Sequence, residues 1–401
     1  MSEKSLRFRK SIRSRAWWLV IALVVVALTA GLLLAPKQVA QNQGRLLALP
    51  PTQGNFTRAE AARPLVFPLD MGPHPDFQTE WWYYTGNLST SSGRQFGFEL
   101  TFFRRALASP DELVPRSSDW ATSQVYLAHF TLTDVTANQF HAFERYERGA
   151  AGLAGAQPDP YQVWLQDWSV LLNAPNQYHL HAALPGTAAQ AGLQLDLQMK
   201  DLKGPILEGD HGLSQKGLGN GNASYYYSQT RLQTGGTIGM NGQTFTISGL
   251  SWMDHEFSTS ALGPDQVGWD WFSVQLDDGS ELMLYNIRQK NGSADPFSNG
   301  TIIRADGTTR QLKAGDFTIQ VNSTWKSPHN GGIYPASWTV TIPSENLTLQ
   351  IKPLIPDQEL NLSIIYWEGA VQITAERAGV KVAGKGYVEL TGYAQSLAGN
   401  F

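Results

Sequence analysis

The densest chemistry-bearing run in the chain is His74-Pro75-Asp76-Phe77-Gln78-Thr79-Glu80-Trp81-Trp82-Tyr83-Tyr84. Side chains alternate between the faces of a strand, so Glu80, Trp82 and Tyr84 share one face and Trp81, Tyr83 and Thr85 the other. Four consecutive aromatics are too bulky to leave in water on both faces, so this strand is covered on each side or lines a cavity. A carboxylate held among indoles loses hydration, which raises its pKa and makes it a proton donor near neutral pH. The plainer alternative is that Glu80 hydrogen-bonds a neighbouring strand and the rings are ordinary core.

A second cluster is Ser251-Trp252-Met253-Asp254-His255-Glu256-Phe257. Extended geometry sets Trp252, Asp254 and Glu256 on one face and Met253, His255 and Phe257 on the other, so no Ser-His-Asp relay can be read from adjacent Asp254 and His255. Asp270 is a third acid, between Trp269 and Trp271. Arg288, at the end of the returning strand, can pair with one of these acids and lower its pKa. The loop Leu207-Glu208-Gly209-Asp210-His211-Gly212 through Lys216-Gly217 leads into Tyr225-Tyr226-Tyr227 and lacks the spacing of a phosphate loop. Tyr366-Trp367-Glu368 and Tyr387-Val388-Glu389 repeat the habit of an acid beside aromatics. His179 and His181 share a strand face, but two imidazoles are weak evidence, and with His74, His129 and His211 elsewhere no metal site and no cofactor is expected.

The elements that position these residues are strands. Phe96, Phe98, Leu100 and Phe102 alternate with Gly97, Glu99 and Thr101. Trp269–Leu276 and Glu281–Ile287 flank Asp277-Asp278-Gly279-Ser280 and read as a hairpin. Short β-prone runs recur at Val125–Leu132, Leu193–Met199, Phe317–Val321, Trp338–Ile342, Leu347–Ile351 and Gly386–Leu390. No apolar 3.6 period persists for three turns after residue 58, so the body is all-β, a sandwich or barrel. Its 401 residues suffice for two such units, and the Gly-rich run 235–242 is the expected junction between 58–234 and 243–401.

Ahead of the body lie a basic tail (1–15), an uncharged apolar stretch (16–35) and a Pro- and Gln-bearing tether (36–57). Twenty helical residues rise about 30 Å, one hydrocarbon core. The tail carries a balance of +5, so the positive-inside rule puts it in the cytoplasm and the body outside. A cleaved signal segment is the competing reading and leaves the body equally extracytoplasmic. The net charge of −4 leaves −9 on the rest of the chain, which argues against nucleic acid as partner. The absence of cysteine excludes disulfides, thiolate metal sites and a cysteine nucleophile.

The runs HPDFQTEWWYYTGNL, LEGDHGLSQKG with SYYYS, SWMDHEF with GWDWFSVQLDDGSELMLYNIR, and the terminal YWEGAV and GYVELTGY together resemble the AttH/CrtC lipocalin-like family, and more closely its AttH branch. The resemblance spans roughly residues 60–400 and implies two lipocalin-like antiparallel β-barrels packed together. It also implies one of two activities. The first is a membrane-tethered binder of an apolar lipid or isoprenoid, working beside an ABC transporter permease. The second is a hydro-lyase of the carotenoid 1,2-hydratase kind, adding water to an isoprenoid double bond. Aromatic faces would stabilise the carbocation of the latter by cation–π attraction. The candidate catalytic residues are Glu80, Asp254, His255 and Asp270. The candidate ligand contacts are His74, Trp81, Trp82, Tyr84, His129, Tyr226, Trp252, Trp269, Trp271 and Arg288.

Overall fold

Alternation of apolar and polar residues with frequent turn signals gives strands throughout. The computed structural model describes residues 54–114, 117–186, 192–260 and 262–397. The expected basic tail, the apolar stretch and most of the tether lie outside the described residues. Among the described residues no helix is long and apolar enough to cross a membrane, and the helical elements are short 3-10 turns.

Two antiparallel sheets make the body, a near-closed barrel of thirteen strands and a half-barrel of ten. The central strands of the first are Gln95–Ala106, Thr79–Ser89, Gln243–Ser258 and Ala223–Met240, neighbours in that order. Those of the second are Glu281–Gln289, Gln266–Leu276, Val380–Leu390 and Ile365–Arg377. The second sheet stays open because its outermost strands, Thr309–Lys313 and Thr318–Lys326, do not pair with each other. The expectation of two barrels therefore holds as one barrel and one half-barrel.

The sheets change over between Ser258 and Gln266, whereas the Gly-rich run 235–242 lies inside the hairpin joining Ala223–Met240 to Gln243–Ser258. Within it Gly236 answers to close packing and Gly242 to a positive φ at the turn. A Cβ on Gly236 would sit 2.1 Å from the Asp196 carbonyl oxygen of the neighbouring strand, and its φ of 149° disfavours other residues.

The period-2 pattern is realised in the packing. Phe96, Phe98, Leu100 and Phe102 join Trp82 and Tyr84 in the barrel interior. Each fully buried side chain of this size contributes about 1.5–3 kcal/mol. Phe272, Val274, Leu284 and Trp338 fill the half-barrel. A third apolar cluster, including Tyr83, Tyr226, Trp252, Trp271 and Tyr387, lies where the outer face of the first sheet meets the second. Contact there is close: a Cβ on Gly97 would lie 2.5 Å from that of Ala370. Asn87 Nδ2 donates to the Gly386 carbonyl at 2.9 Å and Thr133 Oγ1 to Gln358 at 2.8 Å across the same seam.

One end of the barrel is defined by Thr79, which pairs with both Arg105 and Ser258, and by Val125, which pairs with Arg148. The strap of residues 54–78 lies at this end. Met71 accepts a hydrogen bond from Trp82 Nε1 at 3.0 Å, and Phe67 packs edge-on against Tyr227 at 4.9 Å.

Candidate functional site

Strands Thr79–Ser89 and Gln243–Ser258 pair with Trp82 opposite His255 and Tyr83 opposite Asp254. This register sends one set of polar residues into the barrel and the other into the seam between the sheets. Two buried clusters result, back to back.

The barrel cluster centres on Glu80. Its Oε1 is 2.7 Å from His74 Nδ1 and 2.8 Å from His255 Nε2, and its Oε2 accepts from Arg104 Nε at 2.7 Å and the His74 amide at 2.9 Å. His74 Nε2 meets Asp70 at 2.9 Å, and Arg63 reaches the same carboxylate at 2.7 Å. Burial alone would raise the Glu80 carboxyl, but the charges of Arg104 and His74 hold it well below the ordinary carboxylate range. Burial likewise opposes protonation of His74, yet Glu80 and Asp70 raise it, so the ring donates from both nitrogens. His255, stacked on Trp82 at 4.9 Å, is lowered by burial and stays neutral. Glu80 is thus an ionised anchor and not the proton donor expected from its indole neighbours. The cause is Arg104, a partner that lies 24 residues away in sequence. The His74, Glu80 and His255 ligand atoms lie within 4.8 Å of one another, a spacing that suits a metal ion. Arg104 already supplies the positive charge that a metal would otherwise bring to this carboxylate.

The seam cluster lines a cavity between the two sheets. Trp81, Tyr226, Trp269 and Trp271 face it, with Asp254, Glu368 and Glu389 among them. Asp254 Oδ1 accepts from Trp252 Nε1 at 2.8 Å and Ser228 Oγ at 2.5 Å. Burial raises Asp254 well above the ordinary range, outweighing its hydrogen-bond donors, and among the described residues no basic side chain meets it within ion-pair distance. Glu368 accepts from the Tyr83 hydroxyl at 2.8 Å and is also raised well up, by burial and by Glu99 and Glu389 nearby. Burial pushes Glu389 up to about 8 and Glu99 up to about 7. Asp254, Glu368 and Glu389 are therefore held mainly as neutral acids near pH 7, and Glu99 is poised at its midpoint there. Among the described residues one cation enters the cavity wall, Lys216, paired to Glu256 at 2.8 Å and set 3.9 Å over the Tyr285 ring.

The three acids singled out by sequence occupy three places. Glu80 is inside the barrel and Asp254 is in the cavity. Asp270 lies off the cavity wall, 2.9 Å from Arg288 Nε and 3.0 Å from the Tyr393 hydroxyl. Burial still raises Asp270 despite Arg288. Of the expected ligand contacts, Trp81, Tyr226, Trp269 and Trp271 line the cavity, and Trp252 stands behind Asp254. His74, Trp82 and Tyr84 face into the barrel, where Tyr84 meets the Tyr161 hydroxyl at 2.6 Å. His129 bonds Tyr366, a cavity residue, at 2.6 Å, and burial drives its pKa down to about 3. His179 and His181 both lean on Asp196 at 3.2 Å on a half-buried face.

Arg104, Glu99, Glu256 and Lys216 were not singled out from sequence. Glu99 carries a signal in the pattern, as an acid set between the apolar Phe98 and Leu100 on the face opposite the barrel core. Glu368 and Glu389 were visible as acids beside aromatics, but not as cavity residues.

A family model described as AttH-like matches residues 58–393. A crystal structure assigned as an AttH of Nitrosomonas europaea is 34% identical, covers 84% of this chain and 100% of its own, and superposes with a TM-score of 0.73. Kievitone hydratase from Nectria haematococca is similar in fold at 15% identity and a TM-score of 0.62, covering 86% of this chain and 98% of its own. CghA is similar at 11% identity and a TM-score of 0.51, with coverages of 86% and 96%. Among curated proteins, none matches significantly.

Proposed function

Because the chain belongs to the AttH-like family, we propose that its β body holds an apolar, unsaturated small molecule in the cavity between its two sheets. The observation that carries this is the wall itself: three indoles and several phenol rings around acids that burial keeps neutral. Such a wall welcomes apolar surface, and its few polar groups orient the guest. A conjugated polyene whose absorption overlaps tryptophan emission tests the reading. Added to the full chain in detergent, it should quench emission saturably, and less so in Trp271→Ala. Absence of saturable quenching would sink it.

A second reading, acid-catalysed hydration, is favoured by one feature, the unpaired acid Asp254 against indole faces. Its O–H would give the proton to an alkene carbon, the π pair forming the new C–H bond. Trp81, Trp269 and Trp271 would face the resulting tertiary cation. Water would then add through its oxygen to the cationic carbon, the neighbour of the one protonated, and return one proton to the Asp254 carboxylate, so that net one water is gained. Asp254→Asn should abolish a hydrated product, detected by mass, while polyene quenching persists. Product formation undiminished in that variant rules the step out.

In the same proposal the apolar stretch 16–35 tethers the body to the membrane, on the side away from the basic tail. The family resemblance adds an ABC exporter as working partner. Alkaline extraction of membranes and protease access to the body check the tether. Copurification with a permease subunit checks the partner.

A further inference from the structure

Eleven large apolar side chains are exposed among the described residues, and they are unevenly placed. Seven lie on three segments: the strap 54–78, the loop from 107 to 123, and the loop 216–222. The most exposed of these seven are Leu218 (87%), Val114 (73%), Leu69 (64%), Trp120 (58%), Val66 (56%) and Leu113 (50%). The other four, Leu202, Val321, Ile333 and Val380, are scattered elsewhere.

These three segments share one end of the barrel. The loop after Ala106 returns at Gln124, where Leu107 donates to the Ser123 carbonyl, and the loop 216–222 leads into Ala223 beside Ser258. The cavity mouth is at this end too, since its half-buried rim is Trp81, Phe103, Ser260, Leu262 and Trp269. The described chain also begins here. Asn55 Nδ2 donates to Asp111 at 2.8 Å, so the chain coming from the apolar stretch 16–35 enters at the loop that carries Leu113, Val114 and Trp120. The intervening residues, 36–53, reach at most about 65 Å even fully extended.

We propose that this end of the body rests on the bilayer surface, with Trp120, Val114, Leu113 and Leu218 inserted in the interface and the cavity mouth turned toward the lipid. The inference rests on the tether reading above and deepens it: the guest is a lipid-soluble molecule taken from the membrane and not from water. Indole and aliphatic side chains gathered at one end suit the headgroup boundary. An apolar patch beside an apolar mouth gives a guest a path that avoids water.

The absence of cysteine makes the test clean. Trp120→Cys, Val114→Cys, Leu218→Cys and, as control, Val321→Cys are each labelled with a polarity-sensitive fluorophore. Each full chain is reconstituted into vesicles of phosphatidylethanolamine and phosphatidylglycerol. The emission at 120, 114 and 218 should shift to the blue and be quenched by doxyl-labelled lipid, while that at 321 keeps its aqueous value. If vesicle-bound protein shows labels at 120, 114 and 218 as wet as that at 321, the inference falls and the tether survives. If the chain washes off the vesicles, the tether reading fails and takes this one with it.

Discussion

The barrel cluster and the seam cavity are built from the same two strands, yet their acids are in opposite states. Glu80 and Asp254 are both buried, and both sit among aromatic rings. Glu80 has Arg104 and a protonated His74 and stays ionised, whereas Asp254 has hydroxyl and indole donors that carry no charge and becomes neutral. Burial sets the stakes and the partner decides the charge. The barrel interior is therefore a closed ionic knot, and the cavity is where proton chemistry is available.

The largest expected effect comes from breaking the ionic knot. Glu80→Gln leaves Arg104 buried without its countercharge, and unfolding in urea should show a loss of about 3–5 kcal/mol. Asp254→Asn replaces a neutral acid by an amide of the same shape and should cost about 1 kcal/mol or less. Equal losses at the two sites would refute the contrast.

pH should sharpen it next. Glu389 at about 8 and Glu99 and Glu208 at about 7 keep their protons when the unfolded chain has released them near 4.5. The unfolded state then binds fewer protons, so stability falls as pH climbs from about 4.5 to about 8. His74 adds to the fall, because its stabilising contribution is complete below 6.5 and is lost as pH passes its raised folded value. Asp70 and Glu80 act oppositely: their contribution is present above the ordinary carboxylate range and is lost only in strong acid. Glu389→Gln should flatten the alkaline decline measured by urea midpoints across pH. An unchanged slope would mean that Glu389 is ionised after all.

The smallest effect tunes one cavity acid. Tyr83→Phe removes a hydrogen bond to Glu368, costing about 0.5–1.5 kcal/mol. It should also let the infrared band of the protonated carboxyl persist to higher pH. A band lost at lower pH would contradict the assigned donor.

Much of this contrast was legible in the sequence. Period-2 reading put Glu80, Trp82 and Tyr84 on one face and Trp81 and Tyr83 on the other, and it separated Asp254 from His255. The hairpin around Asp277–Ser280 and the Arg288 pairing also follow from local pattern. The ionised state of Glu80 was not legible, because Arg104 comes from the neighbouring strand and only the register brings it there. Nor could sequence gather Glu368 and Glu389 beside Asp254, since that depends on how one sheet seats on the other. The Gly-rich run misled for a related reason: glycine marks a close approach of backbones as readily as a junction.

The seating has a consequence for selectivity. Gly97 touches Ala370 with no room for a methyl group, and bonds from Asn87, Tyr83 and Thr133 rivet the two sheets on either side. If the cavity holds a guest as proposed, jaws fixed in this way would work as a gauge, admitting a molecule by its thickness at the loops of the mouth.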